Sequence, residues 1–280
     1  MPLTPLTVPD TRPYFRPAAE SFLDLLRSLR DRDWELPTAA GAWRVRDVLA
    51  HLVDTAFRRL SLDRDGHEWR PPDPPRGEAD LAAFINRVNG EWVEVAARLS
   101  PRALIDLYAL ASLQLAAYVE TVPLDAPARF PVSWAGETES QAWFDIGREF
   151  TEVWHHQMQI RAAVGAPPPD HPEWLRAVLQ LAVRALPHAY RSLDAAPGTT
   201  IVIDVTGQSG GRWTLRRETG RWAILQGPGP GPAARATISE DRAWLLFFNA
   251  IPESEAAAAL AADGDQRLLA PLMRARSVIV

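Results

Sequence analysis

Between Pro17 and Tyr190 the apolar residues recur at helical spacing in long stretches, and after Asp194-Ala-Ala-Pro-Gly198 they give way to short β-rich runs. Helical spacing buries one stripe of each helix against its neighbours, so long helices joined by loops predict an α-bundle. Short runs rich in β-branched residues, parted by Gly-containing turns, predict a strand meander. A chain that changes texture once is thus expected to fold as an all-α up-and-down helical bundle over 1–192 and a small α+β unit over 193–280. Helices are expected over about 17–32, 45–62, 80–99, 101–121, 140–164 and 173–190, with Pro187 kinking or ending the last of them. Ser100-Pro101 supplies an N-cap and first-turn pair, and the helix beyond is apolar nearly all round, so it should be largely buried. Strands are expected at 199–206, 212–216, 221–226 and 234–239, then helical segments at 240–248, 254–262 and 266–273, and a short last strand at 277–280.

The helix predicted over 140–164, closed by Gly165 and the prolines at 167–169, carries the most informative polar face. Trp143, Ile146, Phe150, Val153, Trp154 and Val164 share its apolar stripe, while Asp145, Glu149, Glu152 and His156 line the opposite side. Glu152 and His156 are four residues apart, so their side chains stack one turn apart and could grip one ion. An exposed acidic face is the plainer reading of the same pattern. His51 poses a similar choice. It lies off the stripe of Val45, Val48, Leu49, Leu52, Val53, Ala56 and Leu60, in the company of Asp47, Asp54, Thr55 and Arg58. That side is either surface or the wall of a wet cleft.

Composition removes several classes of function. With no cysteine, disulfides, thiolate metal sites and a protein-borne thiol nucleophile are excluded, so any thiol chemistry must use a small-molecule thiol. A formal net charge of −5 argues against nucleic acid, which needs a basic face. The first ten residues lack a basic and an apolar region of the signal-peptide kind. No window approaches the roughly 18 uninterrupted apolar residues of a membrane span. The expectation is a cytoplasmic protein without a membrane partner.

Three patterns in order resemble the mycothiol-dependent maleylpyruvate isomerase family, with its DinB-like metal-binding bundle and sterol-carrier-like appended domain. They are Arg32-Asp-Trp34 leading through Trp43 to His51-Leu52, then Glu152-Val-Trp-His-His156 continuing to Ile160-Arg161 and Gly165, and last the C-terminal α+β segment. The resemblance implies His51, Glu152 and His156 as metal ligands, a His₂Glu set with a vacant fourth position, which is the make-up of a catalytic zinc site. It also implies a divalent metal, most readily zinc, and a low-molecular-weight thiol such as mycothiol that isomerises or conjugates a small electrophile. His155 falls outside the arc of Glu149, Glu152 and His156 and is read as a non-ligand; Glu149 is the substitute should Glu152 fail. Two departures stand out. Gln159 replaces the aspartate that the family carries three residues after its second histidine. The family's C-terminal arginine has only Arg274 and Arg276 as candidates. His67 is read as solvent-exposed, and His171 and His188 as structural or surface residues. A binding protein for a small apolar ligand, through the C-terminal unit, and a metal-dependent hydrolase are the competing readings.

Overall fold

The computed structural model describes residues 2–69, 71, 73–76 and 78–278. Its longest helices precede its sheet, as the change of texture predicts. Long helices occupy the chain to Ala182, a four-residue helix ends at Ala189, and the first strand begins at Thr200. The chain forms two compact units interleaved in sequence. One comprises Asp10–Arg129 with Glu149–Pro169; the other comprises the N-terminal segment to Pro9, Phe130–Arg148 and the chain from Asp170 onward. The expected division at 192/193 follows the class of secondary structure, whereas these units follow contacts.

The helical unit is built from α1 (Arg12–Ser28), α2 (Val45–Arg59), α3 (Glu78–Ala96), α4 (Pro101–Glu120) and the larger part of α5 (Ala142–Val164). Helix α1 starts five residues before the expected Pro17, because Pro13 sits in its first turn, where no N–H is required. Pro17 is therefore inside the helix and not its start. The fully buried face of Phe15, Ala18, Ala19, Phe22, Leu23 and Leu26 holds the helix through it. It stops at Ser28, short of 32, and Asp33 then accepts the Arg30 backbone N–H at 2.9 Å to form a short 3₁₀ turn over Asp31–Glu35. Helix α2 likewise ends at Arg59 and widens into a π-turn over Leu60–Arg64.

Ser100 caps α4 as expected, its Oγ accepting the Ala103 N–H at 3.2 Å. The expectation that α4 is largely buried fails on one side: Leu104, Tyr108, Ala111, Leu115 and Val119 are buried, but Leu110 is 52 % exposed. By length and composition alone α4 could cross a membrane, the one such helix among the described residues. Here its buried face joins a core with Phe22, Leu26, Val48, Leu49, Leu52 and Ile160. The Phe22 and Tyr108 rings meet edge to face at 5.4 Å, and Trp92 Nε1 donates to the Ala50 carbonyl at 2.8 Å, so α1, α3 and α4 all fix α2. Helix α5 is pinned to α1 by Phe150 against Phe15 and by Arg161, which donates to the Ser21 Oγ at 3.1 Å. Gly165, at φ +69°, closes it.

The mixed unit holds α6 (Pro172–Ala182), α7 (Leu186–Ala189) and a sheet of five strands among the described residues. The predicted helix over 173–190 breaks at a 3₁₀ turn, Val183–Ala185. Pro187 explains the place: it has no N–H to offer the Val183 carbonyl one turn back, and its ring crowds that carbonyl. The strands are β1 (Thr200–Thr206), β2 (Gly211–Arg217), β3 (Trp222–Gln226), β4 (Ala234–Ser239) and β5 (Ala261–Gly264), in the order β3-β2-β1-β4-β5. Only β1 and β4 pair in parallel, so the sheet is mixed.

Strand β5 was not foreseen, since an alanine-rich segment reads as helix. Helix α8 (Glu240–Phe247) follows β4, but α9 (Glu253–Ala258) ends early, and 261–264 pairs with β4 instead. Gly264, at φ +82°, lies so close to the Ala233 carbonyl that a Cβ there would come within 2.3 Å of its oxygen. Tertiary pairing overrides local propensity here. The expected helix over 266–273 is two 3₁₀ turns, the first capped by Asp265 accepting from the Arg267 N–H at 3.0 Å. Of the expected last strand, Ser277 donates its N–H to the Phe247 carbonyl, and residues 279–280 lie outside the described residues.

Candidate metal centre

Helix α2 supplies His51 and α5 supplies Glu152 and His156, one turn apart. His51 Nε2 lies 3.0 Å and His156 Nε2 3.1 Å from the same carboxylate oxygen, Glu152 Oε1. The two imidazoles meet nearly edge to face, with centroids 4.8 Å apart, and the three donor atoms lie within 4.8 Å of one another. The polar side of α2 is therefore not surface. It faces α5, leaving His51 2 % and His156 8 % exposed, while the Glu152 side chain keeps 34 %. The carboxylate is the side through which the site opens. Trp43 closes the other flank, its ring 5.0 Å from that of His51.

Burial is the largest influence on all three groups. It lowers the His51 pKa, and the Glu152 hydrogen bond does not recover the loss. Burial alone would raise Glu152, but the charge of His156 and hydrogen bonds to both imidazoles hold the carboxyl well below its ordinary range. His156 is also pressed down by burial, yet Glu152 and Gln159 outweigh that and raise it. The contact thus favours the carboxylate of Glu152 and the charged form of His156, while burial favours the neutral form of His51. The residues fit a divalent metal on their own chemistry. Two imidazole nitrogens and a carboxylate oxygen converge on one region, and three such ligands are the protein's share of a catalytic zinc site. His51 Nδ1 is buried without a hydrogen-bond partner among the described residues, and its Nε2 is the nitrogen turned to the Glu152 carboxylate.

The remaining candidates separate clearly. His155 is outside the cluster, as its place on the helix wheel implies; burial, aided by the charge of His156, pushes its pKa down to about 3. Its Nε2 lies 2.9 Å from Gln159 Nε2, and Gln159 Oε1 lies 2.8 Å from His156 Nδ1. Sequence reasoning missed that linkage, although the spacings of three and four residues hold the signal. Glu149 is not among the three converging groups. His67 is exposed, and His171 stacks on Trp174 at 4.0 Å while bonding Glu173. His188 lies against Gly136. Arg274 and Arg276 belong to the mixed unit, where they line a cavity of about 160 Å³ with Trp134, His188 and Arg191. A cavity of about 570 Å³ in the helical unit, lined by Leu26, Trp34, Ser100 and Ile105 among others, includes none of the three converging residues.

Residues 15–161 match the sequence model of the Mycothiol maleylpyruvate isomerase N-terminal domain. No curated protein matches the chain. Among solved structures, a histidine-to-alanine mutant of the mycothiol-dependent maleylpyruvate isomerase is similar at 14 % identity and a TM-score of 0.57, over 92 % of this chain and 93 % of that one. A second structure, of the mycothiol-dependent maleylpyruvate isomerase, gives 15 % and 0.53 over 86 % and 88 %. At such identities these likenesses speak to the fold. The sequence match spans just over half of the 280 residues, and the chain belongs to the mycothiol maleylpyruvate isomerase family.

Proposed function

We propose that this protein is a cytoplasmic, metal-dependent enzyme that uses a low-molecular-weight thiol, of the mycothiol kind, to isomerise or conjugate a small electrophile. The observation that carries the reading is the convergence of His51 Nε2 and His156 Nε2 on Glu152 Oε1, with the opening on the carboxylate side. His51, Glu152 and His156 would hold the ion. When bound, it supplies positive charge at an open position, where a thiol is held as thiolate near neutral pH. The absence of cysteine supports an external thiol.

The chain's own residues set the terms of that chemistry. Two neutral imidazoles and one carboxylate leave a dication with a net charge near +1, which favours an anionic sulfur. Gln159 adds a hydrogen bond without a further negative charge. Trp43 and the buried rings of His51 and His156 keep water from the inner side, strengthening the electrostatics there. In the isomerase that gives the family its name, the thiolate adds to an activated double bond, the new single bond rotates, and elimination returns thiolate and trans product. We extend that sequence to this chain at the level of thiol-dependent isomerase or transferase.

The test is a cobalt-substituted protein titrated with mycothiol. Sulfur entering the coordination sphere should add a thiolate-to-metal absorption band and saturate with one equivalent. An unchanged spectrum would contradict the reading and favour metal-assisted hydrolysis, which uses the same donors with water in the open position.

A further inference from the structure

Helix α4 carries at each end the charge that its own dipole disfavours. The peptide dipoles of a helix sum to partial positive charge at the N-terminus and partial negative charge at the C-terminus, so acids suit the first turn and bases the last. In α4 the first turn has no acid and holds Arg102, and the last has no base and ends on Glu120. Both are exposed, and neither has an ion-pair partner among the described residues; Asp106, one turn beyond Arg102, does not pair with it. The two charges also share a side of the helix. They are 18 residues apart, about five turns at 3.6 residues per turn, so their side chains leave the helix in nearly the same direction. Beside that line lies the open side of α4, with Leu110 and Ala117 exposed and Ala103 and Leu113 half-buried. Leu110, 52 % exposed, is its apolar centre, and the alanines towards the two ends leave room for another helix to come close.

We propose that the open side of α4 is a self-association surface, on which two copies of this chain pair antiparallel about a two-fold axis level with Ala111. In such a pair like sides meet and the two ends exchange. Ala111 is midway between Arg102 and Glu120, so the axis sets Arg102 of each copy beside Glu120 of the other, twice. Leu110 then lies against Leu113 of the other copy, with an alanine to either side. Each misplaced charge also comes to the end of the opposite helix whose dipole favours it. The face is thus complementary to itself, which is why the partner is a second copy. Length and composition would also let α4 enter a membrane, but Asp106 and Gln114 flank Leu110, and Gln114 is bonded to Arg64 at 2.6 Å. A polar rim of that kind suits a protein contact and not hydrocarbon. The contact centres on one helix about 30 Å long, so the dimer belongs at the small, concentration-dependent end of the range. No group of the metal centre takes part, and the pairing stands or falls apart from the metal reading.

Sedimentation of the full chain over rising concentration reads the pairing. The wild type should pass from monomer to dimer with a dissociation constant on the order of 10–100 μM. Leu110→Glu puts a charge at the centre of the face and should raise that constant about 10-fold or more. Arg102→Glu and Glu120→Arg each set like charges together and should each weaken pairing by about 10-fold. The double variant carrying both exchanges the signs of each pair and should return to the wild-type value, an outcome that only the antiparallel register predicts. Both single charge variants suit their own helix dipole better than the wild type does, so thermal melting should show them folded and no less stable. A monomer at every concentration to roughly 1 mM, a dimer indifferent to Leu110→Glu, or a double variant no better than the single ones would overturn the proposal. Vesicles of phosphatidylcholine and phosphatidylglycerol that bind the wild type but not Leu110→Glu would assign the face to lipid and overturn it as well.

Discussion

The two nitrogens of His156 carry different duties, and pH should expose both. Glu152 has its pKa lowered, so its share of stability is present above the unfolded value of 4.5 and is lost as pH falls through the lower, folded value. His156 has its pKa raised, so its share is complete below 6.5 and is lost as pH rises through the higher, folded value. The metal-free protein should therefore draw the most from this pair between about 4.5 and 6.5. Metal binding runs the other way, since it needs the Nε2 lone pair. Zinc affinity should begin to fall above pH 6.5 as the solution is acidified, earlier than for an ordinary imidazole. Glu152→Gln should weaken zinc at every pH and move that decline to lower pH, because the charge that raises His156 is gone. Zinc titrations from pH 5 to 9 on both proteins check this; an unmoved midpoint would contradict it. Much of the site is legible in sequence. The i, i+4 spacing puts Glu152 and His156 on one face, and the family resemblance brings in His51 from 101 residues away. Burial was not legible, because a polar helix face looks the same whether it meets water or another polar face. Nor was the pairing of Gln159 with His155, since both residues read as bystanders once the ligands are assigned.

At the level of elements, periodic stretches were read well and their ends less well. The helix over 140–164 is found at Ala142–Val164, and the Pro187 break falls where a missing N–H requires. Pro17 misled because a proline inside a helix and one that starts it look alike in sequence, and only the buried face on both sides of it distinguishes them. Strand β5 was hidden because its partner β4 lies some 25 residues earlier, beyond the reach of any local pattern. Within α5, Gly147 packs against Leu181, and a Cβ there would come within 2.6 Å of Leu181 Cδ2. Gly147→Ala gains up to about 1 kcal/mol in helix propensity but overpacks a fully buried leucine, which costs about 1–3 kcal/mol. The net expectation is destabilisation by about 1 kcal/mol, seen as a lower urea midpoint with unchanged slope; a stabilised variant would show that Leu181 yields freely.

For the whole molecule, the boundary near 192/193 marks the change from helix to strand, but compact contacts cross it. Tyr190 packs on Trp222 with ring centroids 5.5 Å apart, and Trp222 Nε1 donates to the Leu193 carbonyl at 3.1 Å. Arg176 donates to the Gln208 carbonyl at 2.6 Å. A fragment ending at 192 would strip Tyr190, now buried, of its contact with Trp222 and should melt without cooperativity or self-associate in sedimentation; a monomeric, cooperatively folded fragment would make 192/193 a true folding boundary. The account's central claim is that His51, Glu152 and His156 hold one divalent ion. Removing either imidazole should also cost about 1–2 kcal/mol of stability, since both rings are buried, so the comparison is made well below the melting temperature. The decisive measurement is metal content by elemental analysis of the full chain, purified and reloaded with zinc, alongside His51→Ala and His156→Ala. One equivalent in the wild type and almost none in either folded variant is the predicted result. Full occupancy in both variants, or no metal in the wild type at any pH up to 9, would contradict it.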